Sequence, residues 1–321
     1  MALFVIGGCH LETAKSSRNQ KLFIASDYLH AKDVTLFNSF SKETGIKVFV
    51  LHAPKDSILQ QLKNEKFATD IDIVLLESVF DAIDFSKEKV LQPILKVEDQ
   101  PSISFRLRAH DYQWVGIGID PFIFVQAKDS LAPKSSYLEC LKRENWTTNL
   151  KENTQLLPLM TGLVHRVRGE SDSIKDGLLS HIFRREVNFS RPSDSLKRFT
   201  TLLTTYSSFY SDTLLYNSGY KNGKILFPNQ SKGGLQFNLR TAAIIKQAKN
   251  YTNALEFIKY FTEEKANERI NNWWNTFPVN SNMNKIFSYQ KRYFKRYPIE
   301  FSVLHSYKES TARDILKSRK K

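Results

Sequence analysis

Three short apolar runs near the N-terminus constrain the fold more than any other feature of the chain. They occupy residues 22–26, 46–51 and 71–76, and each has the length of a buried strand. Phe37 and Phe40 recur at helical spacing between the first two runs. Strands that alternate with helices at this pitch form βαβ units, because parallel neighbours need a crossover helix. The pattern therefore predicts an α/β protein with a largely parallel sheet.

The second constraining stretch covers residues 199–245. A run rich in Thr and Leu predicts a strand, and a segment rich in Tyr follows it. Tyr206 and Tyr210 are four residues apart, so they share one face of a helix. Open α/β sheets bind ligands beyond the carboxyl ends of their strands. The stretch therefore predicts a ligand site that contains aromatic hydroxyl groups.

Four motifs then occur in a fairly specific order and spacing. They are FSKETGIKV at residues 40–48, FPNQ at 227–230, GLQFNLRTAAI at 234–244 and FPVN at 277–280. In this order they resemble the bacterial periplasmic ferric-ion-binding proteins, which are the solute-binding proteins of iron ABC transporters. The chain resembles a divergent member of that family.

The resemblance implies a two-lobed type II periplasmic-binding-protein fold. Each lobe would be a mixed, mostly parallel sheet flanked by helices, with the ligand cleft between the lobes. The implied first lobe comprises residues 21–113 plus 235–281, and the second comprises 114–234 plus 282–321 with the C-terminal helices. The segment that starts at Trp114 would cross between the lobes and form the hinge. Finer expectations are a strand over residues 102–109 and one helix over residues 252–268.

Composition narrows the function classes. The 321 residues include 47 basic and 33 acidic side chains, which gives a net charge of +14. Basic residues are scattered, and the sequence lacks zinc-finger spacing and RNP-like motifs, so we expect a solvated basic surface and no nucleic-acid partner. The sequence also lacks a nucleophile elbow, a P-loop and an HExxH motif, so we expect no enzyme and no catalytic cofactor.

The N-terminus suggests export. Cys9 follows the apolar run MALFVIGG, and residues 6–9 stand in the position of a lipoprotein processing site. Residues 1–20 are therefore interpreted as a leader, lipid anchor and linker, with Cys9 as the lipidated residue. We expect the protein in the periplasm, or anchored as a lipoprotein on the outer side of the inner membrane. Cys140 would then be a lone thiol.

The resemblance also implies a set of metal ligands. Ferric iron prefers oxygen donors, and its charge lowers the pKa of a bound phenol so that phenolate binds at neutral pH. Glu77 ends the third strand, where some family members place a Glu ligand. His30 lies in the first loop, where family members place a His, and Tyr28 is the fallback there. Tyr206 and Tyr210 would supply the phenolates.

The chain departs from the family pattern at the remaining positions. The adjacent tyrosine pair is not kept, because either Ser207 or Phe209 replaces one member. Asp120 stands where many members have the first of two anion-binding arginines, and Gln126 stands where some have a third Tyr ligand. Asp120 and Gln126 therefore remain ligand-cleft candidates.

The resulting functional prediction is a solute-binding receptor of an ABC importer, with ferric iron as the transported ligand and a permease in the inner membrane as its partner. A receptor for a small anion or another solute is the main alternative. A degenerate lipoprotein that keeps the fold without transport, and an intracellular α/β enzyme, are also open.

Overall fold

The computed structural model of the chain describes eleven segments. They are residues 20–29, 31–64, 70–94, 103–126, 136–141, 146–166, 201–211, 223–230, 233–280, 294–298 and 300–319.

The described strands and helices alternate along the first part of the chain. The strands are β1 (Lys21–Ser26), β2 (Lys47–His52), β3 (Ile73–Leu76), β4 (Leu91–Gln92), β5 (Val115–Gln126), β6 (Trp146–Thr148), β7 (Thr201–Thr205), β8 (Lys224–Leu226) and β9 (Phe237–Ile245). The helices are α1 (Phe37–Thr44), α2 (Lys55–Lys63), α3 (Val79–Lys87), α4 (Tyr137–Leu141), α5 (Leu157–Arg166), α6 (Tyr206–Ser211), α7 (Tyr251–Thr262), α8 (Glu264–Trp274), α9 (Phe301–Ser306) and α10 (Lys308–Arg319). None of these helices combines the length and the apolarity that crossing a bilayer requires.

The three apolar runs form the strands that the sequence predicts. β1 pairs in parallel with β2 on one side and with β3 on the other. β1 is mostly buried and β3 is fully buried, and α1 and α2 are the helices that connect these parallel strands. Gly45 ends α1 with φ of 75°, a left-handed conformation that favours glycine, and its N–H donates to the Ser41 carbonyl at 2.9 Å.

One long strand joins the two lobes. The first part of β5, from Val115 to Pro121, pairs antiparallel with β9. Its last part, from Phe122 to Gln126, pairs with β7 and β8 instead. The sheet is therefore mixed, and among the described strands every antiparallel pair involves β5 or β9. The parallel pairing that the sequence predicts holds for the outer strands and not for these central ones.

Two separate hydrophobic cores accompany this change of partner along β5. The first core surrounds β1, β3 and β9 and includes Leu22, Val74 and Phe257. The second core surrounds α4, α5 and β7 and includes Tyr137 and Met160. A strand shared by two cores is a geometry that permits hinge motion between lobes.

The C-terminal helices contact both lobes. Phe301 and Leu304 of α9 pack in the first core, whereas Ile315 of α10 packs in the second. Asp84 on α3 accepts a hydrogen bond from His305 Nε2 at 2.7 Å and is also paired with Lys308. The division that gives residues 282–321 to the second lobe remains a prediction.

Two finer predictions are wrong. Residues 105–107 form a 3-10 turn rather than part of a strand, because Arg108 folds the chain back by stacking over Tyr112 and donating to the Ile103 carbonyl. The single helix over 252–268 is two helices, since Glu263 is extended with φ of −66° and ψ of 147°. Thr262 Oγ1 donates to the Ile258 carbonyl in the last turn of α7.

Candidate functional site

A polar cavity of about 260 Å³ lies between the lobes. Its wall contains hydroxyl groups, carboxylates, two cationic groups and two indoles, which belong to Tyr28, Asp33, Glu77, Lys151, Ser207, Ser208, Ser211, Arg240, Trp273 and Trp274. This is the size of a site for a small solute.

Strand direction explains why these residues meet. β1 and β3 are parallel, so the residues that follow them, including Tyr28 and Glu77, emerge at the same edge of the sheet. β9 runs the opposite way and carries Arg240 near its start at this edge. α8 ends there with Trp273 and Trp274.

Glu77 forms polar contacts with residues on the other side of the cleft. Lys151 Nζ lies 2.7 Å from Glu77 Oε2, and Gln155 Nε2 donates to Glu77 Oε1 at 2.9 Å. Glu77 follows β3 beside the first hydrophobic core, whereas Lys151 and Gln155 precede α5 beside the second. Asn238 Nδ2 supports the same junction, because it donates to the backbone carbonyls of Glu77 at 2.9 Å and Thr154 at 3.3 Å.

Arg240 supplies a second, buried positive charge. Its Nη2 donates to Ser207 Oγ at 3.1 Å, and its guanidinium lies over the rings of Tyr28 at 4.8 Å and Trp274 at 5.5 Å. Within the described segments its Nε–H has no hydrogen-bond partner. A buried donor without a partner is costly, so this N–H is suited to a ligand oxygen.

Burial shifts the pKa values of Tyr28 and Asp27, which follow β1. Burial raises the pKa of Tyr28 well above its usual range, although the nearby Arg240 opposes the shift. The Tyr28 hydroxyl has no hydrogen-bond partner in the described part of the chain. Burial also raises the pKa of Asp27 to about 7. The hydrogen bond that Asp27 accepts from the backbone N–H of Glu77 opposes this shift. Asp33 accepts a hydrogen bond from Trp273 Nε1 at 2.9 Å.

Asp120 lies under the cavity wall. Its carboxylate accepts hydrogen bonds from the backbone N–H of Ser207 at 2.9 Å and from the Ser207 hydroxyl. Burial raises the pKa of Asp120, while Arg240 and the Ser207 donors oppose that shift. Asp120 therefore fixes the first turn of α6 and orients a wall residue.

The structure brings together only some of the predicted site residues. Tyr28 and Glu77 line the same cavity. Tyr206 is 2% exposed and packs its ring 4.7 Å from that of Tyr210 and 5.0 Å from that of Phe277. Neither Tyr206 nor Tyr210 belongs to the cavity wall, and α6 presents serine hydroxyl groups there instead.

Three predicted residues lie elsewhere or cannot be placed. Gln126 is buried at the far end of β5, where it pairs with Thr201 and Lys224 and does not reach the cavity wall. His30 and Cys9 fall outside the described residues. Among the described residues no three His, Cys, Asp or Glu side chains are arranged to hold a metal ion.

Sequence reasoning did not find several residues of the wall. Arg240 is a lone charge within the apolar strand FNLRTAAII, and Ser207, Ser208 and Ser211 belong to the serine-rich segment YSSFYS. Both features can be recognised in the sequence. The charge of Arg240 is informative because a charged residue in a buried strand needs a partner. No sequence pattern indicates that Lys151 belongs to the cavity wall, since its partner Glu77 is 74 residues away along the chain.

Comparisons with known proteins agree with this architecture. No protein-family model matches the chain. Iron uptake protein A1 of Synechocystis is 23% identical over 261 residues, which cover 77% of this chain and 72% of the relative. The ferric binding protein of Campylobacter jejuni has a TM-score of 0.77 at 17% identity, covering 92% of this chain and 99% of that protein. The Trichodesmium protein IdiA (FutA), solved with iron and citrate ligands, has a TM-score of 0.77 at 18% identity, covering 93% and 99%. The predicted resemblance is thus confirmed: the chain is similar to ferric-ion-binding proteins and has their two-lobed type II periplasmic-binding-protein fold.

Proposed function

We propose that the chain is the solute-binding receptor of an ABC importer and that it captures ferric iron. The observation that carries the proposal is the cavity between the lobes, whose wall contains the oxygen donors Tyr28, Asp33 and Glu77. Oxygen donors of this kind suit a small, highly charged cation. The names of Iron uptake protein A1 and of the ferric binding protein support the choice of iron.

Capture would involve movement of the lobes about β5. Iron entering the cavity would meet the phenol of Tyr28, which its raised pKa keeps protonated in the empty site. Because a metal binds the phenolate, iron capture at Tyr28 releases a proton. The closed receptor would then deliver the ion to a permease in the inner membrane.

The setting of the protein follows from this role. A receptor that serves an importer works in the periplasm or on the outer face of the inner membrane. Lipidation of Cys9 would anchor it there, and this part of the proposal rests on the sequence of residues 6–9. The receptor binds and releases its cargo without breaking covalent bonds, so it needs no catalytic cofactor.

An iron titration tests the proposal. Ferric nitrilotriacetate is added to the protein, and the visible absorption band of a tyrosinate–iron bond is recorded. We expect a band in the wild type and its loss in Tyr28→Phe. Tyr210→Phe is the matched control, because Tyr210 is outside the cavity wall and 38% exposed. Tyr206→Phe tests the other tyrosine that the sequence predicts as an iron ligand.

Two outcomes would overturn these assignments. A wild type that removes no iron from nitrilotriacetate contradicts ferric-ion capture. An absorption band that persists in Tyr28→Phe and disappears in Tyr206→Phe or Tyr210→Phe contradicts Tyr28 as the ligand. That result would support Tyr206 and Tyr210, the pair that the sequence predicts.

A small organic or inorganic anion is the second candidate cargo. The buried Nε–H of Arg240 without a described partner favours it, as do Lys151 and the serine hydroxyl groups of α6. Calorimetric titration with citrate in iron-free buffer tests this candidate. Binding that Arg240→Met abolishes, in a protein that takes up no iron, would replace the first proposal with the second.

A further inference from the structure

We propose that Lys151 is a built-in substitute for the cargo cation. In the empty receptor the ammonium group of Lys151 forms an ion pair with the Glu77 carboxylate, and this ion pair, here called the clasp, holds the lobes together. The cargo displaces the ammonium group. The displacement step rests on the proposed function, whereas the clasp between the lobes does not.

The geometry around Glu77 is that of an occupied cation site. Lys151 Nζ contacts Oε2 at 2.7 Å, and Gln155 Nε2 contacts Oε1 at 2.9 Å. Both carboxylate oxygens therefore already have a donor from the opposite lobe. A metal ion that binds Glu77 must compete with a positive charge that is already there.

The two partners of this ion pair differ sharply in exposure. The side chain of Glu77 is 8% exposed, whereas that of Lys151 is 60% exposed. Lys151 can therefore move its ammonium group into water at little cost, because a long lysine side chain reaches solvent by rotation. Glu77 cannot leave, so the pair has one fixed partner and one removable partner.

Gln155 fixes the backbone of Lys151 and makes no hydrogen bond to its ammonium group among the described contacts. Its Oε1 accepts a hydrogen bond from the Lys151 backbone N–H at 3.0 Å, and its Nε2 donates to Glu77. Gln155 is buried. One amide thus fixes both the carboxylate and the point from which the lysine side chain extends.

The clasp also sets a threshold for the cargo. A cation can bind the Glu77 carboxylate only by displacing the Lys151 ammonium group. The Coulomb attraction between an ion and a carboxylate grows with the charge of the ion. A trivalent ion therefore displaces Lys151 more readily than a divalent or monovalent ion. Lys151 would favour a highly charged cargo over the abundant ions of lower charge.

The first arm of the test needs no cargo. Metal-free wild type, Lys151→Met and Lys151→Arg are compared by small-angle X-ray scattering. Lys249→Met is the matched control, since Lys249 forms an ion pair of the same 2.7 Å length with Asp70 within the first lobe and is 53% exposed. We expect a larger radius of gyration in Lys151→Met alone. Identical scattering from Lys151→Met and the wild type would refute the clasp.

The second arm measures iron affinity by competition with nitrilotriacetate. Removing a competing, partly exposed charge should raise the apparent association constant of Lys151→Met about three- to tenfold. Lys151→Arg and Lys249→Met should keep the wild-type value. An unchanged or lower constant in Lys151→Met, with its circular dichroism intact, would refute displacement.

The two arms separate the two proposals. If neither the wild type nor any variant binds iron, the iron proposal fails, and the scattering comparison still decides whether Lys151 clasps the lobes. If Lys151→Met binds citrate more weakly than the wild type does, Lys151 is a ligand of an anionic cargo and the displacement proposal is wrong.

Discussion

Replacing Asp84 by Asn should destabilise the protein at neutral pH and destabilise it less in acid. Asp84 accepts from His305 Nε2 at 2.7 Å and pairs with Lys308, so it ties α3 of the first lobe to α9 and α10. Burial alone would raise the pKa of Asp84, but the donors on His305 and Lys308 outweigh it and lower the pKa to about 2.

The magnitude follows from the difference between the folded and unfolded states. The pKa of Asp84 falls from 3.8 to about 2, and each unit corresponds to roughly 1.4 kcal/mol. The resulting ceiling of roughly 2.5 kcal/mol must be reduced, because the carboxylate is 30% exposed and solvent screens it. We therefore expect Asp84→Asn to lower the free energy of unfolding by about 1 to 2 kcal/mol at pH 7.

The direction of the pH dependence is fixed by the sign of the shift. A carboxylate whose folded pKa is depressed stabilises the protein above its unfolded pKa of 3.8 and loses that contribution as the pH falls toward about 2. Urea unfolding followed by circular dichroism measures the effect at pH 7 and again near pH 3. Glu88→Gln is the control, because Glu88 pairs with Lys63 at an exposed site. A penalty equal to that of the control, or one that does not shrink in acid, would refute the reasoning.

Two further substitutions test how the lobes are joined. Tyr137→Phe should lower the free energy of unfolding by about 1 to 2 kcal/mol in urea titrations, since its buried hydroxyl donates to the Phe122 carbonyl at 2.6 Å and also lies 3.3 Å from the Gln236 carbonyl. Gly118→Ala should lower the midpoint of thermal unfolding by several degrees, because an added Cβ would lie 2.6 Å from Asn271 Oδ1. Wild-type values in either variant would contradict the packing described for β5.

The fold was largely predictable from local patterns. The apolar runs that became β1, β2 and β3 are continuous and lie between helical segments, so their length and order were enough to predict parallel pairing. The pairing of β5 with two different sets of strands was implied by resemblance and not by pattern. Its residues are buried throughout, so no alternation of buried and exposed positions shows where its partners change.

The site was only partly predictable, because its wall is assembled from distant segments. Tyr28 and Glu77 follow strands directly, so strand order placed them at the ligand-binding edge. The prediction for Tyr206 and Tyr210 used helical spacing, which fixes a shared face but not whether that face meets the cleft or the core. In the structure Tyr206 packs against Phe277, and the neighbouring residue Ser207 lines the cavity instead.

The charges in the cavity distinguish the two candidate cargoes by what each must displace. A cation reaches Glu77 only after Lys151 has left, since the ammonium group already lies 2.7 Å from the carboxylate. An anion reaches the Arg240 Nε–H, which has no partner in the described segments, without breaking an existing contact there. Removal of the Lys151 charge must therefore strengthen cation binding and weaken anion binding. The opposite signs of these two effects make the affinities of Lys151→Met for ferric iron and for citrate sufficient to decide which cargo the cavity is built to hold.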